Sequence, residues 1–218
     1  VFSTAVSVTL LYATYYDKTD LYTCAMFLAF LGVYAVRRCR RPWLGVVLCG
    51  GCLCLSMGLY QGYIEFAIGL FLLCLLRDCL TQDLPWADYL RRGFTAVAAL
   101  LLGGVLYAVS MKAVLAYKHL ELIDSYNGLQ QMNRSGPEVW LSRLPGAYKQ
   151  VFATLLGCDV WNNRGMRLAT AFCLLLALAC LVLALRRKPR RVLAQTAILL
   201  MLLPLGLNVV FLLSEKAP

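Results

Sequence analysis

The residues of this 218-residue chain that could do chemistry are few and bunched. The stretch "LSMGLYQGYIEFAIGLFLLCLL", Leu55 to Leu76, is apolar enough for a membrane yet carries Tyr60, Gln61, Tyr63 and Glu65 in its first half. A tight turn is expected near Gly58–Tyr60, and a helix from Tyr60 places Gln61 and Glu65, four apart, on a common face, with Ser56, Tyr60 and Tyr63 clustered on a neighbouring one. A carboxylate facing lipid costs a few kcal/mol, so Glu65 is expected to face a bundle interior or a water-filled cavity. Tyrosine rings, an amide and a carboxylate together suit a wall that binds a sugar or a lipid headgroup. The same residues could equally make an interhelical hydrogen-bond knot with an aromatic belt. Upstream, "YYDKTDLY" offers Asp17 and Asp20 as a general base or as ligands to a divalent cation. Asp20 with Thr19 could instead cap the helix that follows.

Other reactive types are less pointed. His119 is the only histidine and falls in an amphipathic pattern. Lys112, Lys118, Arg134, Arg143 and Lys149 give one segment a basic tint suited to phosphate or phospholipid headgroups. "NRS" at Asn133 matches a glycosylation sequon, a tripeptide common by chance. Ten cysteines are present, but seven lie inside apolar blocks, Cys39 and Cys79 lie beside arginines, and Cys158 alone falls in the long loop. That is no disulfide framework. The CxxC within "CGGCLC" has neither histidine nor acid near it, so its small residues are expected to serve helix packing. No metal site is expected at these cysteines, and a divalent cation enters only through Asp17 and Asp20.

The elements that must position these residues follow from composition. The chain is 61% hydrophobic, against about 45–50% for soluble domains. The excess sits in blocks long enough to cross about 30 Å of hydrocarbon as helix, and without strand alternation. We therefore expect an all-α, polytopic membrane helix bundle of about seven spans, Val1–Thr14, Leu21–Val36, Leu44–Gly58, Tyr60–Leu76, Phe94–Ser110, Met166–Leu185 and Val192–Leu213. The first is too short to span, which predicts that residues 1–218 form a single transmembrane domain cut from a longer protein. A polar loop with a possible short helix should follow Leu76.

The net charge of +10 resides in short clusters between apolar blocks, which excludes a nucleic-acid partner in favour of cytoplasmic loops. "RRCRR", "RRKPRR" and the loop with Arg77, Arg91 and Arg92 fall on one side in this count. Residues 112–165 then form an extracytoplasmic loop. Within it "KAVLAYKHLELID" and "EVWLSRLPGAYKQVFATLLG" read as amphipathic helices in the interface, with Trp140 and Trp161 at headgroup depth.

"DKTDLYTCAMFLAFLGVYAVRR" followed by "LSMGLYQGYIEFAIGLFLLCLLRDCL" resembles the bacterial Gtr-type glucosyl transferases that decorate O-antigen and related surface glycans. The residues that carry the likeness are Asp20 and Tyr22, then Leu55, Ser56, Gly58, Tyr60, Gln61 and Tyr63. The resemblance covers roughly the first 80 residues by motif and the rest by topology. It implies a bacterial cytoplasmic-membrane enzyme that takes a sugar from a polyprenyl-phosphate carrier and passes it to a glycan acceptor on the extracytoplasmic face. It also implies that the main catalytic acid lies before Val1. The residues' own chemistry leaves Asp17 and Asp20 as the candidate catalytic acids here and Tyr60, Gln61, Tyr63 and Glu65 as the candidate substrate-binding residues, although the resemblance by itself calls for a small or neutral residue where Glu65 stands. The rival from another class is a transporter or flippase with Glu65 as a coupling residue. Repeated halves and broken helices would mark it. A scaffold subunit is the third reading.

Overall fold

The computed structural model describes residues 19–119, 142–149, 151, 153 and 164–209. Among them the only regular secondary structure is helix: α1 (Thr19–Arg38), α2 (Pro42–Leu59), α3 (Tyr63–Gln82), α4 (Trp86–Lys118), a short helical segment at 142–149, α5 (Arg164–Leu185) and α6 (Arg190–Gly206). The expected span Val1–Thr14, Asp17 and most of the 112–165 loop lie outside the described residues. Four helices are long and apolar enough to cross a membrane, namely α1, α2, α4 and α5. The expected spans at Tyr60–Leu76 and Val192–Leu213 are not among these four. α3 has the length but carries Glu65, Arg77 and Asp78, and α6 has only 17 residues.

The chain forms two compact units, residues 1–71 with 91–121 and residues 72–90 with 122–218. In the first, α1 and α2 make an antiparallel hairpin. Asp20 in the first turn and Arg37 and Arg38 in the last complement the dipole of α1. Pro42 then starts α2, where its missing N–H costs nothing. Stripes of small residues face each other: Ala25, Ala29 and Val33 on α1, and Gly45, Cys49 and Ser56 on α2, all buried. The register is read directly. A Cβ on Gly45 would lie 3.0 Å from the Val36 Cα, one on Gly32 would lie 3.2 Å from the Cys49 sulfur, and the Ser56 hydroxyl donates 2.7 Å to the Ala25 carbonyl. The glycine- and cysteine-rich run thus serves close helix approach, as its composition predicts. A neighbouring side of α2 meets α4, where a Cβ on Gly103 would come 2.8 Å from the Leu53 Cβ.

In the second unit, α6 buries Val192, Gln195, Thr196 and Leu199 on one face, the i, i+3, i+4, i+7 stripe of a packed helix. Leu199 packs with Leu75, Cys79, Leu84 and Tyr89. The connection expected as a polar loop is only three residues, 83–85, because α3 and α4 extend to either side of it. Asp83 turns the chain in the left-handed region at φ 48°, and Pro85 ends it just before α4. Lys188 Nζ lies 2.8 Å from Asp83 Oδ1, Arg191 donates to the Asp83 carbonyl at 3.0 Å, and Gln195 Nε2 donates to the Leu84 carbonyl at 3.1 Å. The α3–α4 and α5–α6 turns therefore meet at one end of this unit. The 142–149 segment docks on α6 through Tyr148 Oη to the Met201 carbonyl, 2.6 Å, and through Asn208 Nδ2 to the Ala147 carbonyl, 3.0 Å.

Candidate functional site

The α1–α2 hairpin opens at the end away from its arginines into an aromatic and amide cluster. The cluster exists because helix stops here. Tyr60 caps α2 in extended geometry, φ −158° and ψ 116°, with its N–H on the Ser56 carbonyl at 2.9 Å. Gln61 and Gly62 form a turn, and α3 resumes at Tyr63. The Tyr60 ring lies over Gly62, where a Cβ would come within 2.7 Å of its Cε1, so only glycine leaves room for that ring position. Tyr60 stands edge-on to Tyr22 at 4.9 Å and to Tyr63 at 5.5 Å, and Tyr63 stands edge-on to Phe66 at 6.4 Å. Such pairs prefer this geometry and contribute beyond their area, about 0.5–1.5 kcal/mol each.

Gln61 is not on the helical face shared with Glu65 that the spacing predicts, because extended Tyr60 interrupts the helix before it. Instead its Nε2 donates to the phenolic oxygen of Tyr107 on α4. Near this contact the Cys54 sulfur and the Ser110 hydroxyl are 3.9 Å apart. Glu65 stands in the first turn of α3, half-buried, with its N–H on the Gly62 carbonyl at 3.2 Å. An acid there complements the dipole of α3. Ser56, grouped with the tyrosines in the sequence, is buried and spends its hydroxyl on α1. Asp20 is exposed in the first turn of α1, two residues before Tyr22, and so lies at the same end of the hairpin. Asp17 is outside the described residues. His119 is exposed just past α4, at φ 52°, rather than within a separate interfacial helix.

The structure thus brings Tyr60 and Tyr63 together in one aromatic chain, with Gln61 on the turn they flank and Glu65 in the first turn of the helix that follows. Sequence reasoning missed Tyr22 as the edge-on partner of Tyr60, and Tyr107 and Ser110 as the facing wall. The signal for the last two was available. They are polar residues three apart, on one face of an otherwise apolar helix. Among the described residues no group of three or more His, Cys, Asp or Glu is placed to hold a metal ion. Chemically, the cluster offers flat aromatic faces, an amide, a phenol and a carboxylate, the set that sugars engage by stacking and hydroxyl hydrogen bonds.

The family model described as glucosyl transferase GtrII matches residues 5–218. The chain belongs to the GtrII glucosyl transferase family. No curated protein and no solved structure matches it. The GtrII match runs far beyond the first 80 residues on which the resemblance rested, taking in α4, α5 and α6. With four helices able to cross a bilayer, this member of the GtrII family is a membrane protein of the transferase class.

Proposed function

We propose that this chain is part of a glucosyl transferase that takes glucose from a polyprenyl-phosphate donor and passes it to a surface glycan at the extracytoplasmic face of a bacterial cytoplasmic membrane. The observation that carries the reading is the Tyr22–Tyr60–Tyr63 cluster with Gln61, at the end of the α1–α2 hairpin remote from the "RRCRR" turn. Arginines mark cytoplasmic loops, which assigns that far end to the outside. A sugar docked there stacks on tyrosine faces, while its prenyl tail lies along the apolar helices beside it.

The chemistry asks for a base at the acceptor. A carboxylate takes the proton from the acceptor hydroxyl, the oxygen attacks the anomeric carbon, and the carbon–phosphate-oxygen bond breaks to release polyprenyl phosphate. Asp17 and Asp20 are the acids assigned to this work, or to holding a divalent cation at the phosphate. Tyr60, Gln61, Tyr63 and Glu65 are assigned to the sugar. Membership in a transferase family favours this reading over a transporter or flippase.

The test uses the full-length protein in membranes with polyprenyl-phosphate glucose and the glycan acceptor. Gln61→Ala, Glu65→Gln and Asp20→Asn should each slow glucose transfer at unchanged membrane abundance. Unaltered transfer in all three variants would remove these residues from the site. Loss of protein together with activity would assign them to packing.

A further inference from the structure

The hydrogen bond between Gln61 and Tyr107 ties the turn after α2 to the middle of α4, and both side chains are only partly buried. It uses one amide N–H and one lone pair of the phenol. Gln61 Oε1 is left as an acceptor and the Tyr107 O–H as a donor. Turning the amide over exchanges the roles but again leaves at least one donor and one acceptor. A sugar hydroxyl is both donor and acceptor, and so can close a ring with such a pair. The phenol and the amide fix each other's orientation before any ligand arrives, so less rotamer freedom is lost on binding. Tyr60, the neighbour of Gln61, contributes a ring packed against Tyr22 and Tyr63.

Resting on the proposed sugar site, we infer that the Gln61–Tyr107 pair binds one ring hydroxyl of the transferred glucose, which makes Tyr107 a specificity-determining residue of the site. The phenol reads the sugar and orients the amide; it takes no part in bond making. An analogue lacking that hydroxyl leaves a donor and an acceptor unpaired together, the situation in which polar sites discriminate most strongly.

The experiment is glucose transfer by the full-length protein from polyprenyl-phosphate glucose and from a set of its monodeoxy analogues, with membrane abundance measured in parallel. The wild type should reject one analogue by roughly tenfold or more in kcat/KM. Tyr107→Phe, which keeps the ring, should lose most of that discrimination while treating the remaining analogues as the wild type does. A purely structural Tyr107 would change all analogues alike. If Tyr107→Phe does not accumulate, Gln61→Met breaks the same bond from the other side and must show the same selective loss. Equal use of every analogue by the wild type, or full discrimination retained in the variant, overturns the inference while leaving the sugar site standing. Wild-type behaviour of both Tyr60→Ala and Gln61→Ala would bring down the sugar site itself.

Discussion

The Lys188 ammonium lies 2.8 Å from the Asp83 carboxylate, 105 residues earlier in the chain. Asp83 therefore does two jobs in a three-residue turn. It adopts the left-handed backbone conformation at φ 48°, and it binds the α5–α6 turn. The pair is partly solvent-exposed, so the attraction itself is worth at most about 1 kcal/mol. A left-handed alanine adds roughly 1–2 kcal/mol of strain.

The two contributions separate by substitution. Asp83→Asn should lower thermal stability slightly, Asp83→Gly about as little, and Asp83→Ala most. Unfolding of the purified protein in micelles reads the order. An alanine variant as stable as the asparagine one would show that the left-handed turn imposes no strain.

A second prediction concerns the α1–α2 seam. Alanine at Gly45 puts a Cβ 3.0 Å from the Val36 Cα and 3.2 Å from the Ala35 carbonyl, both backbone atoms that cannot swing aside. Gly45→Ala should cost about 1–3 kcal/mol, as overpacking does. Gly51 points into open space, with nothing within 4 Å. Gly51→Ala should therefore gain up to about 1 kcal/mol from helix propensity alone. The pair of variants is compared by melting temperature, and equal effects would refute the register described for this hairpin.

How far the sequence could be read follows from these contacts. The small residues of "CGGCLC" announced close packing because nothing else in the run could do chemistry. The bounds of α1, α2 and α5 were legible within a few residues, since arginines, Pro42 and Pro189 punctuate them. The α3–α4 connection was not, because "RDCLTQDLPWADYLRRG" looks polar and loop-like while its charges ride on two continuing helices. At the candidate site the residue types were evident but the arrangement was not. A turn near Gly58–Tyr60 was legible, but it falls at residues 60–62, two residues later, which takes Gln61 off the helical face of Glu65. The partnership of Gln61 with Tyr107 spans 46 residues and leaves no local mark.

The third prediction is set by a buried hydroxyl. Thr196 is 1% exposed, and among the described residues its Oγ1 has no hydrogen-bond partner; the same holds for Oε1 of neighbouring Gln195. An unsatisfied buried polar atom costs about 1–3 kcal/mol. Thr196→Val keeps the volume and removes the hydroxyl, so it should raise the melting temperature. A clear drop instead would mean that an ordered water engages both atoms.

α4 also works as a depth gauge. From Gly93 to Met111 it has no charged residue, between Arg92 and Lys112. Those 19 residues span about 28 Å, close to the hydrocarbon thickness of a bilayer. Tyr107 lies five residues from Lys112, so the phenol sits about 7 Å beneath the rim that Lys112 marks. A polar molecule that meets the phenol must reach past Lys112 into the uncharged length of α4. The remaining turns, to Lys118, carry the helix about 9 Å past Lys112.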